Sequence, residues 1–233
     1  FLAMLSLIGC LAPAGVTPAR GYYVEGDKTY NVGRVQRHGS DVFLFDGHDA
    51  LFVEVTSTRF REIDSLVELR DEFIDEDITR LIDKIKELNE DIRDFRDGDL
   101  VYDEIKPSAV QRIFPMIITS FSVPHFVGIV TAIRDAISSN KWLESTQPPE
   151  VVEVQALDLL EADLVSTITV FDLLTAKQSA TVRRPASLMN FVALRGREVG
   201  LDHPISKPQS LLEIEDDLRS RFNSWGGPQI QAV

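Results

Sequence analysis

The fold is decided by the stretch Asp41-Val-Phe-Leu-Phe-Asp46-Gly-His48-Asp-Ala-Leu-Phe-Val-Glu54-Val-Thr56. Two short runs in it, Val42 to Phe45 and Leu51 to Val55, are rich in the β-branched and aromatic residues that favour strands. The four residues between them, Asp46-Gly47-His48-Asp49, are typical of a turn, and turn formation explains both aspartates without a metal. The stretch therefore predicts an antiparallel hairpin with a carboxylate before its first strand and another inside its second.

Composition indicates a soluble globular protein. With 233 residues, of which 44% are hydrophobic and 26% charged, the chain can bury one core, and we expect one domain with a tail. A single cysteine, Cys10, excludes an internal disulfide framework and a cysteine-cluster zinc site, so we expect a cytoplasmic protein. The apolar run Phe1 to Ala12 lacks a basic flank and is too short to span a bilayer. We interpret it as a buried helix and expect no membrane partner.

The negative charge is concentrated in one segment. Of the formal net charge of −13, the residues from Arg61 to Glu104 contribute −10, with 17 acidic and seven basic side chains. This acidity argues against a polyanionic partner unless a basic protein or a dimer supplies positive charge. Basic residues cluster elsewhere, and we interpret them as solvated surface: Arg34, Arg37 and His38; Arg59 and Arg61; Lys177, Arg183, Arg184, Arg195 and Arg197.

The acidic segment has the period of a long amphipathic helix. Its apolar residues recur mostly at spacings of three and four, which places them on one face. Gly98 suits a left-handed cap and predicts the end of the helix. The charged face is interpreted as solvated, or alternatively as a docking surface for a basic partner. The apolar residues are Val67, Ile74, Ile78, Leu81, Ile85, Leu88, Ile92 and Phe95.

Strands and helices alternate after this helix. The run Arg112 to Ser120 predicts a buried strand, with Pro115 indicating an early or edge position. A helix is predicted over Phe126 to Ser138, a strand from Val151, and a short helix over Leu157 to Leu164. The order predicts an α/β sandwich of three layers with a central mixed sheet. We expect the core to occupy residues 1–165 and a helical C-terminal extension to occupy residues 166–233.

These elements, with Asp41 before one strand and Glu54-Val55-Thr56 on the next, resemble the restriction-endonuclease-like superfamily, the PD-(D/E)XK nucleases. The resemblance covers roughly Gly21 to Asp163 and implies a restriction-endonuclease-like core. It also implies metal-dependent hydrolysis of phosphodiester bonds in DNA. Other enzyme classes are weakened because the chain lacks a Gly-x-x-x-x-Gly-Lys phosphate loop, a Gly-x-Gly-x-x-Gly fingerprint, a Gly-x-Ser-x-Gly elbow and a His-Glu-x-x-His helix.

The resemblance assigns a site residue by residue. Asp41 and Glu54 would hold Mg²⁺, or Mn²⁺, with the main-chain carbonyl of Val55 as third ligand. Thr56 stands where the family has a lysine that orients the attacking water and offsets charge on the phosphate. A hydroxyl carries no positive charge, so Thr56 departs from the pattern at a functional position.

Two explanations of this departure stay open. In the first, a cation from a neighbouring element reaches the same point: Arg59, Arg61, Arg80 or Lys84. In the second, the domain is a degenerate nuclease, a pseudoenzyme that serves as a scaffold or protein-interaction domain through its acidic helix face. The first predicts a Mg²⁺-dependent deoxyribonuclease with DNA as partner, and the second predicts a protein partner. A homo-oligomer is compatible with either.

Overall fold

The computed structural model describes residues 23–26, 28–56, 71–103, 105–119, 127–154, 170–179, 188 and 191. The strands in this part of the chain are β1 (Tyr23–Glu25), β2 (Thr29–Val32), β3 (Val35–His38), β4 (Val42–Phe45), β5 (Asp49–Thr56), β6 (Arg112–Thr119) and β7 (Glu150–Glu153). The helices are α1 (Asp71–Asp97), α2 (Val127–Asn140) and α3 (Val170–Ser179), with a 3-10 turn at Pro107–Ala109. None of the described helices has the length and apolar character needed to cross a bilayer.

The main sheet is mixed. Its strand order is β1-β4-β5-β6-β7; β4 is antiparallel to both of its neighbours, β1 and β5, whereas β5, β6 and β7 run parallel. Parallel strands need crossover connections, and the segments between β5, β6 and β7 include α1 and α2. The strands β2 and β3 form a separate antiparallel pair. The predicted mixed α/β class is confirmed.

The predicted hairpin is present with β4 and β5 as its strands. Val42 pairs with Val53 and Phe45 pairs with Ala50. In the turn, the Asp46 side chain accepts hydrogen bonds from the main-chain N–H groups of His48, at 3.1 Å, and Asp49, at 2.8 Å. Gly47 has a φ of +97°, in the region that favours glycine. The turn therefore uses the residue types that predicted it.

Alternation along β5 creates two cores, one on each side of the sheet. Phe52 packs towards α1 together with Phe43 of β4. Leu51 and Val53 belong to the opposite cluster, which includes Phe171 of α3. Helices thus cover both faces of the sheet, which gives three layers.

Helix α1 presents the predicted apolar stripe to the sheet. It ends at Asp97, where Gly98 has a φ of +86°, and the N–H of Asp99 donates to the carbonyl of Asp94 at 2.9 Å. This confirms the predicted end of the helix. The stripe residues Leu81, Ile85, Leu88, Ile92 and Phe95 are all buried.

Three features differ from the sequence expectations or extend them. The pair β2–β3 was not predicted. Strand β6 is not an edge strand, because it lies between β5 and β7. Pro115 does lie in the early part of β6, because β7 pairs with β6 only from Met116 onward. Residues of helix α3, together with Leu188, belong to the hydrophobic cluster that contains Leu51 and Val53. Residues after 165 therefore contribute to the core. The predictions for Phe1 to Ala12, Leu157 to Leu164 and most of the C-terminal extension concern residues outside the described ranges.

Candidate metal site

Strand register brings the two predicted carboxylates together. Val42 pairs with Val53, so Asp41, one residue earlier, and Glu54, one residue later, stand opposite each other when the register is continued. Opposite residues of an antiparallel pair project to the same face of the sheet. Phe43 and Phe52, two residues away on each strand, pack towards α1. Asp41 and Glu54 are therefore placed on the α1 face.

Asp41 is held against β5 by a main-chain hydrogen bond. Its Oδ2 accepts from the N–H of Val55 at 2.7 Å. Because the N–H and C=O of one residue in an extended strand project to the same side, the Val55 carbonyl faces the edge that Asp41 occupies. Two carboxylates and a carbonyl, the three oxygen ligands implied by the resemblance, are thus neighbours in sequence or register.

Glu54 is buried in a negative environment, with 6% of its surface exposed. Burial is the largest cause that raises the pKa of Glu54; together with the neighbouring charges of Asp41 and Asp91, and against the opposing effect of Lys84, it brings that pKa to about 8. A buried carboxylate is costly as an anion unless a cation compensates it. The site therefore favours either a proton or a positive ion at Glu54.

Lys84 of α1 supplies a positive charge directly. Its Nζ lies 3.2 Å from Glu54 Oε2 and also donates a hydrogen bond to Glu87. Burial lowers the pKa of Lys84, but Glu87 and Glu54 outweigh it and the net shift is upward, so the side chain stays charged. The register and the helix thus bring Asp41, Glu54 and Lys84 into one site.

The other candidate cations have different surroundings. Arg80 lies one helical turn before Lys84 and pairs with Glu76 at 2.6 Å. Thr56, at the end of β5, is buried with 7% exposure, opposite Thr119 in the register with β6. Arg59 and Arg61 lie outside the described residues.

The donor set fits a hard divalent cation. Mg²⁺ and Mn²⁺ prefer carboxylate, carbonyl and water oxygens, and Mg²⁺ is often held by one or two carboxylates while it keeps several waters. Within the described ranges, no group of three or more His, Cys, Asp or Glu side chains is arranged to hold a metal. A metal here would therefore depend on Asp41, Glu54 and the Val55 carbonyl, with water completing its shell.

Sequence reasoning missed a buried polar network next to this site. Tyr30 of β2 donates to Asp94 at 2.9 Å, and Ser40 donates to Asp91 at 2.9 Å. Arg37 of β3 also reaches Asp94, at 2.8 Å. Asp91 and Asp94 are almost fully buried although they lie on the acidic helix. The signal for them was their spacing, since both fall on or beside the apolar stripe, where a carboxylate needs a partner.

The interpretation of Asp49 as a turn residue alone was wrong. Its carboxylate is buried, with 5% of the residue exposed, and forms a bidentate pair with Arg112 of β6. The two residues are also register partners in the parallel β5–β6 pair. This aspartate stabilises the start of the sheet and is not part of the candidate site.

Comparison of the chain with protein-family models, with curated proteins and with solved structures finds no match.

Proposed function

We propose that this domain is a restriction-endonuclease-like nuclease that hydrolyses phosphodiester bonds in DNA with the help of Mg²⁺ or Mn²⁺. The observation that carries the proposal is the contact between Lys84 and Glu54, with 3.2 Å between Nζ and Oε2. It supplies, from α1, the cation that Thr56 cannot supply from β5. The displaced-cation explanation of the motif is therefore favoured over loss of activity.

Each residue has a role that follows from its chemistry. Asp41, Glu54 and the Val55 carbonyl would hold the metal. Bound Mg²⁺ polarises a phosphoryl oxygen and lowers the pKa of a coordinated water. Lys84, beside Glu54 and positively charged, is placed to orient that water and to offset charge that develops on the phosphate.

Partial burial of the site supports the same role. Asp41 is half-buried and Glu54 is buried, so charges there are weakly screened by solvent. Within the described ranges, Lys84 is the cation in contact with Glu54, so this part of the site stays negative until a metal ion binds. DNA binding should accordingly depend on the metal and weaken with salt. The cytoplasmic location and a homo-oligomer stay predictions.

The test compares cleavage of plasmid and single-stranded DNA by the parent and three variants in Mg²⁺ or Mn²⁺. We expect the parent to nick DNA and the Asp41→Ala Glu54→Ala double variant to be inactive. Lys84→Met should lose on the order of 10² to 10³ in rate, as removal of a charge-stabilising donor does. Arg80→Met is the matched control. It removes a cation from the same helix, one that pairs with Glu76, and the variant should keep parental activity.

Two results would contradict the proposal. Cleavage by the double variant at the parental rate would trace the activity to another site or to a contaminant. Absence of both cleavage and Mn²⁺ binding in the parent would favour the alternative, a non-catalytic scaffold that uses the acidic face of α1. That face exposes Glu76, Asp83 and Glu87.

A further inference from the structure

We infer that the hydrogen bond between Ser40 and Asp91 is a positioning contact that holds Asp41 in place beside Glu54. Asp91 is thus a positioning residue, which acts on the Asp41 carboxylate through Ser40. The inference deepens the proposed function: the role of the contact in metal binding rests on that function. The contact itself can be tested without metal or DNA.

The residues before Asp41 are fixed on two sides. Ser40 is fully buried, and its Oγ donates to Asp91 Oδ2 at 2.9 Å. The N–H of Gly39 donates to the carbonyl of Lys28 at 2.7 Å. Strand β4 begins only at Val42, so Asp41 lies outside the sheet ladder. Its position therefore depends on the anchor at Ser40 and on the bond from Val55.

Helix α1 contacts both halves of the site. Lys84 and Asp91 are seven residues apart, which is close to two turns, so they share a face with a rise of about 10 Å between them. Lys84 contacts Glu54 on β5, whereas Asp91 contacts Ser40, the neighbour of Asp41. Helix α1 thereby contacts Glu54 directly and sets the position of Asp41 through Ser40.

A purely stabilising role explains this arrangement less well. Asp91 is 5% exposed, and burying a carboxylate is costly even when it is hydrogen-bonded, whereas an apolar residue of similar size avoids that cost. Tyr30 lies 3.3 Å from the other oxygen of Asp91 and 2.9 Å from Asp94, so the network has a separate part that does not involve Ser40. Polar groups behind a metal ligand commonly fix its orientation and change metal affinity by about 10- to 100-fold when removed.

The test measures amide hydrogen exchange by NMR in the metal-free protein. The Val55 amide reports on Asp41, because it donates to Asp41 Oδ2. Val53 lies on β5, as Val55 does, and pairs with Val42 of β4; its amide is the internal reference. We expect Ser40→Ala and Asp91→Ala each to speed exchange at Val55 by about tenfold with little change at Val53, as local opening does.

Matched variants separate positioning from general destabilisation. Tyr30→Phe removes a hydroxyl from the same network but leaves the Ser40–Asp91 bond, and it should leave Val55 exchange unchanged. In the double variant Ser40→Ala Asp91→Ala, the exchange rate of the Val55 amide should exceed that of either single variant by no more than about twofold, because both substitutions remove the same interaction. If Asp91→Ala does not fold, Ser40→Ala and Tyr30→Phe still decide the question.

The outcomes also distinguish this inference from the proposed function. Unchanged Val55 exchange in Ser40→Ala, or equal acceleration at Val53 and Val55, overturns the inference. Selective acceleration at Val55 supports it, and a loss of about tenfold in Mn²⁺ affinity in the same variant links it to metal binding. Selective acceleration in a protein whose parent binds no Mn²⁺ would keep the positioning contact and reject the nuclease proposal.

Discussion

The two faces of the main sheet bury charge in different ways. On the α3 face, at the start of the parallel strands, Arg112 pairs with Asp49, and Lys177 of α3 pairs with Glu150. Arg112 also donates to Thr175 of α3, at 3.0 Å. Among the described residues, each of these carboxylates has its own cation. These pairs attach α3 to the sheet and leave no excess charge.

On the α1 face, at the other end of the parallel strands, the carboxylates around Glu54 outnumber the cations in the part of the chain that the structure describes. Lys84 is shared between Glu54 and Glu87, while Asp41 and Asp91 both raise the pKa of Glu54 by their charge. The C-terminal ends of parallel strands are where α/β proteins commonly bind ligands. The comparison teaches that paired buried charges attach α3 to the sheet, whereas the excess of described carboxylates at the α1 end is the basis on which we propose a cation site.

The largest expected effect is a difference in stability between two matched glutamate substitutions. Glu150→Gln leaves Lys177 buried and uncompensated and should cost about 3 to 5 kcal/mol. Glu54→Gln leaves Lys84 paired with Glu87 and removes a buried anion, so it should be neutral or stabilising. Urea unfolding of both variants and the parent at pH 8 measures the free energies. Equal losses in the two variants would mean that both glutamates serve attachment.

The second prediction concerns pH. The pKa of Glu54 is raised to about 8 and that of Asp91 to about 7, chiefly by burial. The native state therefore binds protons that the unfolded chain has already released, and this stabilisation is complete below the ordinary carboxyl pKa and is lost as the pH rises through the raised values. We expect the unfolding free energy to fall between about pH 5 and pH 8, by up to about 1.4 kcal/mol per pH unit for each group.

The matched variant for this pH series is Glu54→Gln. Its unfolding free energy, measured in urea across the same range, should fall less steeply than that of the parent, since one of the two titrating groups is gone. An identical slope in both proteins would show that Glu54 titrates near its ordinary pKa and that the α1 face is as well compensated as the α3 face.

A smaller effect should distinguish arginine from lysine on the α3 face. Arg112 donates from Nε to Asp49 at 2.8 Å while another nitrogen donates to Thr175. Arg112→Lys keeps the charge but loses this geometry, so we expect a loss of about 1 kcal/mol, limited by the partial exposure of the side chain. Thermal and urea unfolding measure it. A loss as large as that of Glu150→Gln would contradict this ranking.

The smallest expected effect concerns the exposed partner of Lys84. Glu87 is largely exposed, and its pair with Lys84 should contribute less than about 1 kcal/mol to stability. Glu87→Gln should nevertheless make Lys84 more available and raise affinity for DNA about two- to fivefold, measured in Mn²⁺ at a low temperature that slows cleavage. Fluorescence anisotropy measures the affinity, and Glu76→Gln, whose partner is Arg80, is the control. An equal gain in both variants would reflect net charge alone.

Local patterns were sufficient for the hairpin and the long helix. Alternating and β-branched runs predicted β4 and β5, and Gly98 predicted the end of α1, because both depend on residues close in sequence. The opposition of Asp41 and Glu54 also follows from the hairpin, since a short turn sets its register. Asp49 shows the limit of such reasoning: its pairing partner lies 63 residues away.

The identity of the cation at the site required the tertiary structure. Several basic residues near Thr56 or on α1 were equivalent in the sequence, and only the packing of α1 on β5 places Lys84, 30 residues from Glu54, within hydrogen-bonding distance. The same packing brings Asp91 to Ser40. Short-range periodicity thus specifies the strands, the helix and the carboxylate pair, whereas contacts across the core specify which charge compensates the pair, because a helical pattern defines a face but not the partner that the face meets.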